Sequence, residues 1–258
     1  MNGSDLNRVK KIAIEKFKDA IKDNLFAIVL TGSASQNAYK DGWSDLDFLI
    51  VVEHLDLDVK RKIAKIVAEI ESNFGIHQGV NVISKNEFLN PVVPEILLEG
   101  KTLQALIGLK KYPERLIYFK RPIDLENVYS PNRRVMKSYS INNIGMFLHR
   151  NRQTLTRATG RSTKDLKRLL KKEIKASLIM TKSAVQYFAA VPQEDYREVL
   201  RQAKLLFPDF NFSIFKNFFQ IIDRWQKIND KKKILHIFHL IDNYIERFSH
   251  YVFKKFTE

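Results

Sequence analysis

Between residues 5 and 23 the chain reads DLNRVKKIAIEKFKDAIKD. Leu6, Val9, Ile12, Ile14, Phe17 and Ile21 recur near the helical period with lysines between them, which predicts an amphipathic helix. LFAIVLTGS follows, a continuous apolar run closed by a glycine and short enough for a buried strand. Residues 34 to 42 are polar and turn-rich, with a short helix expected to begin at Ser33. LDFLIVVE is a second apolar run, rich in β-branched residues, and predicts a second buried strand. DVKRKIAKIVAEIESNFG predicts another amphipathic helix, stopped at Gly75. GVNVIS predicts a third, short strand, and Pro94 to Lys101 a helix ending near Gly100. Helix, strand, loop, strand, helix, strand, helix is the order of an α/β (α+β) domain, a mixed sheet flanked by helices.

After RPIDLENVYSPNRR, with its two prolines and several turn formers, the pattern changes. SYSINNIGMFLHRNRQTL, STKDLKRLLKKEIKASLIMTKSAVQYFA, PQEDYREVLRQAKLLF, FSIFKNFFQIIDRWQKI and KKILHIFHLIDNYIERFSHYVFKKF all carry helical periodicity. Gly160, Pro192, Pro208 and Asn229-Asp230 punctuate them. The expectation is a bundle of four to five helices, joined to the first domain by a linker within residues 118 to 132. The domains are drawn as 1–120 and 121–258.

Charge follows the same division. Residues 121–258 hold 27 Lys and Arg against 13 Asp and Glu, whereas residues 1–120 hold 17 against 16. A basic second half attracts polyanions such as a nucleoside triphosphate, a nucleic acid or an acidic partner; the plainer reading is a solvated lysine-rich surface. The chain has no cysteine, which excludes disulfides and thiolate metal sites. No run of eighteen apolar residues appears, and the N-terminus lacks the apolar stretch of a signal peptide. No membrane partner and a cytoplasmic location are therefore expected.

Chemistry concentrates in TGSASQNAYKDGWSDLDFLIVVE, residues 31 to 53. Asp45 and Asp47 are one residue apart at the start of a strand, so their side chains share a face while Leu46 turns into the core. Carboxylates that close repel one another unless a cation sits between them. A hard divalent ion, Mg²⁺, would relieve the repulsion and take phosphate oxygens into its shell. Upstream, Gly32 allows a tight turn and close backbone approach, and Ser33 offers a hydroxyl and an N–H to a phosphate. Read singly, these residues are a turn with acidic punctuation.

Taken together, G-S-x₁₁-D-x-D, with Ser44 before the first aspartate and FLIVV after the second, resembles the nucleotidyltransferase signature of the DNA polymerase β superfamily. It is most similar to the small nucleotidyltransferases that include the aminoglycoside adenylyltransferases. The resemblance covers residues 26 to 53 and extends loosely to residue 120. It implies that Gly32, Ser33 and Ser44 bind the substrate, ATP or another nucleoside triphosphate, and that Asp45 and Asp47 bind Mg²⁺ and are catalytic. It further implies that an acceptor hydroxyl, on a small molecule, an RNA or a protein, attacks the α-phosphorus with loss of pyrophosphate.

Many superfamily members carry a third acid on the next strand, where Asn81 is the expected match here. Asparagine cannot serve as a general base near neutral pH. By resemblance to the kanamycin nucleotidyltransferase type, the base would come from the helical domain. Glu173 is the leading choice, because it and Asp165 are the only acids between Arg133 and Lys175. Its alternative is a glutamate at the edge of an apolar stripe; Glu99 and Glu87 rank lower. Between Arg133 and Lys175 thirteen Lys and Arg accompany those two acids, a surface suited to triphosphate or to an RNA acceptor.

Two competing functions follow: a catalytically silent nucleotide- or RNA-binding protein that keeps the fold, and an antitoxin-like enzyme that modifies a protein. The second is disfavoured because Ala34, not arginine, follows the Gly-Ser pair. No convincing HEPN ribonuclease signature is present, since only two residues separate Arg247 from His250. The phenylalanines from Phe210 to Phe219 are expected in the bundle core, with a pocket wall or a homodimer face as alternatives.

Overall fold

In the computed structural model the structure describes residues 3–36, 38–90, 100–156, 158, 160–189 and 195–257. The chain divides into two compact units, Met1–Pro131 and Asn132–Glu258.

The first unit is built on a four-stranded sheet in the order β3-β2-β1-β4. Helix α1 spans Gly3–Ile21 and buries Leu6, Val9, Ala13, Phe17 and Ile21. Strand β1, Leu25–Thr31, runs antiparallel to β2, Leu46–Val52. Helix α2, Leu57–Phe74, starts where the Asp56 carboxylate accepts from Val59 N and stops at Gly75, whose φ of 64° is left-handed. It leads into β3, Gln78–Ser84, which lies parallel to β2. Leu46, Phe48, Ile50 and Val52 from β2 pack with Ile28 and Leu30 of β1 against α1 and α2, and the Phe17 and Phe48 rings meet edge to face at 5.7 Å. On the other face Leu49 and Val51 are buried as well, and Asp47, at the head of the strand, is the half-buried position.

Helix α3, Lys85–Leu89, was not anticipated; its SKNE start is a complete capping box, with Ser84 and Glu87 bonding reciprocally. Helix α4 spans Gly100–Lys111, so it begins where the expected helix ended; most of that expected segment, with Glu99, lies outside the described residues. Strand β4, Leu116–Phe119, pairs antiparallel with the free edge of β1. Its last two residues, Tyr118 and Phe119, fall within the expected linker, so there the structure replaces linker by sheet. The physical reason is that β1 is buried along nearly its whole length, and an uncovered edge there would strand its backbone groups.

The second unit consists of α5 (Arg133–Thr156), α6 (Thr163–Ala189), α7 (Tyr196–Leu206), α8 (Ile214–Asp223) and α9 (Lys231–Thr257). The helix expected over 212–228 is shorter, giving way at Arg224 to a 3₁₀ turn over Trp225–Lys227. Phe212, Phe215 and Phe218 are buried, with Tyr244 and Phe248 of α9 stacked among them, as a core role requires. Two hydrogen bonds cross between helices of the bundle: Ser140 Oγ donates to Ser183 O at 2.7 Å, and Asn151 Nδ2 to Asp242 Oδ1 at 2.8 Å.

Candidate active site

The apolar run of β1 ends at Thr31, which lies opposite Asp47 of β2. The chain then turns at Gly32, with φ of 66°, into a 3₁₀ turn over Gly32–Gln36. A left-handed φ favours glycine, and a second constraint is stronger still. A Cβ on Gly32 would lie 2.5 Å from Asp47 Oδ2 and 3.3 Å from its Cγ. The carboxylate therefore rests directly on the bare Cα of the Gly-Ser turn. The glycine was expected to allow close approach of a phosphate; what it visibly admits is Asp47.

The turn is tied in several ways. Ser35 Oγ donates to Gly32 O at 2.8 Å, Ala38 N to Ser33 O at 3.0 Å, and Lys10 Nζ to Ala34 O at 3.1 Å. Lys10 was not singled out from the sequence, where it is one of many lysines on an amphipathic helix. Its half-buried ammonium, with a pKa lowered by burial, fixes the Gly-Ser turn to α1.

Asp45 stands just before β2 and Asp47 within it, with the fully buried Leu46 between them; the two acids thus share one side of the strand. Ser44 is buried. Its Oγ accepts from Lys40 N at 2.9 Å and its own N donates to Lys40 O at 2.7 Å, closing the loop that delivers Asp45. Tyr39 was also missed. Burial raises its hydroxyl pKa, and the negative charges of Asp41 and Asp45 raise it further, which places it within electrostatic reach of Asp45.

On the other side of β2 the parallel register sets Gly79 beside Asp47 and Asn81 beside Leu49. The residue flanking Asp47 thus has no side chain. Asn81 sits one step along the same face, where its Nδ2 donates to Thr102 Oγ1 of α4 at 3.3 Å. Glu87 is spent on the cap of α3.

Glu173 belongs to the helical unit and is 1% exposed. Thr154 Oγ1 of α5 donates to its Oε1 at 3.0 Å, and Arg150 Nε lies 3.7 Å from the same oxygen, while Oε2 has no hydrogen-bond partner. Burial raises its pKa, opposed by Arg150, Thr154 and Lys172. These are the surroundings of an acid holding α5 against α6.

Among the described residues no group of three or more acids or histidines is arranged to hold a metal ion. Asp45 and Asp47 form a two-carboxylate set, which fits Mg²⁺ in particular. That ion keeps several waters and binds through one or two carboxylates together with substrate phosphates, rather than in an all-protein cage.

A mixed sheet with a Gly-Ser turn seated against D-x-D at the head of its second strand is the nucleotidyltransferase fold. Residues 8–103 match the family model for the nucleotidyltransferase domain. Among solved structures, spectinomycin adenyltransferase AAD(9) from Enterococcus faecialis, crystallised with ATP and spectinomycin, matches over 92% of this chain and 99% of its own, with a TM-score of 0.56 and 12% identity. A likeness at that identity is one of fold. No curated protein is significantly similar in sequence. Among the described residues no helix is long and apolar enough to cross a membrane.

Proposed function

We propose that the protein is an Mg²⁺-dependent enzyme that transfers a nucleoside monophosphate, AMP from ATP, to an acceptor hydroxyl with release of pyrophosphate. The observation that carries this reading is the seat of Asp47 on Gly32, which makes the phosphate-side turn and the acidic strand one piece. The family match over residues 8–103 and a fold neighbour crystallised with ATP and spectinomycin support it.

In this reading the Gly32 N–H and the Ser33 hydroxyl hold triphosphate oxygens, while Lys10 and Ser44 keep the two arms of the loop in place. Asp45 and Asp47 would hold Mg²⁺, which when bound offsets the charge of the phosphates. The protein's own contribution is to fix triphosphate and acceptor so that the hydroxyl oxygen meets the α-phosphorus in line with the departing pyrophosphate. Positioning and charge neutralisation supply most of the rate in such transfers.

One observation favours a second reading, nucleotide binding without transfer. Gly79 beside Asp47 supplies no acid, and Asn81 is bonded to Thr102. Pyrophosphate release and acceptor mass separate the two. The protein is incubated with Mg²⁺ and ATP against panels of aminocyclitols and aminoglycosides, RNA and protein. A mass gain of one adenylate on an acceptor, stoichiometric with pyrophosphate, is expected. Tight Mg²⁺–ATP binding with no adenylate on any panel member would establish the second reading.

A further inference from the structure

The helical unit carries a basic surface that the nucleotidyl-transfer reading does not use. At 100° per residue, Lys164, Arg168 and Lys172 form a row along the first half of α6, and Lys167, Lys171 and Lys175 form the adjoining row. Together they occupy about 140° of the helix. Lys164, Arg168 and Lys172 are exposed. Among the described residues no carboxylate forms an ion pair with any of the three. The two acids of this half-helix are turned to other work: Asp165 Oδ2 accepts from Ser162 Oγ at 2.7 Å, and Glu173 is buried.

A second run of cations is tied to this helix. Lys167 Nζ donates to Asn229 Oδ1 at 3.3 Å and lies 5.2 Å from the centre of the Trp225 ring. That anchors the loop which enters α9 at Lys231, Lys232 and Lys233, all exposed. Three lysines in the first turn of a helix oppose its dipole. Asp230 caps the backbone there, accepting from Lys232 N and Lys233 N, and the lysine side chains have no carboxylate partner among the described residues. A sequence selected only for stability would place acids at these positions.

We propose that this surface of α6 and the start of α9 binds the phosphodiester backbone of a nucleic-acid strand. The row from Lys164 to Lys172 alone spans about 12 Å, with steps of about one helical turn, so it presents a track of cations rather than a point site for one triphosphate. A lipid surface fits less well, because peripheral helices add apolar side chains to their basic face. The large apolar residues exposed among the described residues are Leu57, Phe119, Met146 and Leu205, none of them on this track.

The test uses the full chain and three probes: a fluorescein-labelled single-stranded RNA of twenty nucleotides, a DNA duplex of equal length, and phosphatidylserine-containing vesicles. Anisotropy is measured across a salt series. Binding of either nucleic acid is expected, with log K falling linearly with log salt. In the Lys164→Glu/Arg168→Glu/Lys172→Glu variant the slope should drop by about two to three, at roughly 0.7 to 0.9 per phosphate contact, and low-salt affinity should fall at least tenfold. Lys231→Gln/Lys232→Gln/Lys233→Gln, which keeps the cap at Asp230, should lower the slope independently. Asp45→Asn/Asp47→Asn should bind RNA as the native protein does, which separates this inference from the nucleotidyl-transfer reading. No binding of either nucleic acid at low salt, an unchanged slope in both variants, or binding of vesicles alone would overturn it.

Discussion

At Gly32 the backbone angle and the neighbouring carboxylate make the same demand. A side chain there would take a strained φ, and its Cβ would stand 2.5 Å from Asp47 Oδ2, a separation that forces the aspartate or the turn to move. Backbone strain of this kind costs on the order of 1–3 kcal/mol, and the displaced carboxylate would no longer face a bound ion correctly. Gly32→Ala is therefore expected to lower Mg²⁺–ATP affinity at least tenfold, with a drop in Tm of several degrees. A variant that binds Mg²⁺–ATP as the native protein does would show that Asp47 and the turn need not be in register.

At the scale of elements, the contact between α5 and α6 carries a buried acid whose affinity for a proton is raised by burial. A folded-state pKa above the unfolded one means that the native state holds this proton more tightly. The stability contributed by Glu173 is then fully present below its ordinary value of 4.5 and lost as pH rises through the raised folded value. Tm measured from pH 4 to pH 8 should decline over that window, and Glu173→Gln should flatten that part of the profile while leaving AMP transfer within a few-fold of native. Loss of transfer by a hundredfold or more at unchanged Tm and unchanged pH profile would make Glu173 the base instead.

The elements that were legible in the sequence are those with strong periodicity or a continuous apolar run: α1, α2, β1, β2 and the long helices of the second unit. The ones that were not are short and exist through partners distant in the chain. Four residues, LIYF, show no alternation that would declare β4, which forms because β1 needs its edge covered. The site divides in the same way. Asp45, Asp47, Gly32 and Ser33 announce themselves by spacing, whereas the Lys10 bond to Ala34 and the place of Gly79 beside Asp47 follow from packing and register. Asn81, the expected match for a third acid, lies beside Leu49 in the parallel register, with Gly79 beside Asp47.

Across the whole molecule, the first part is nearly neutral and the second strongly basic, a contrast that matches the two proposals made above. The first unit offers oxygen ligands and backbone donors, suited to a metal and a triphosphate; the second offers cations, suited to a polyanion. The central claim concerns the first of these. Isothermal titration of ATP into the protein, with Mg²⁺ and with EDTA in its place, repeated on Asp45→Asn/Asp47→Asn, tests it most directly. Micromolar-range binding that needs Mg²⁺ and weakens at least a hundredfold in the double variant, about 2.7 kcal/mol, is the result expected. Binding that is equal with and without Mg²⁺, or equal in the variant, would contradict the assignment of Asp45 and Asp47 as the metal-holding pair.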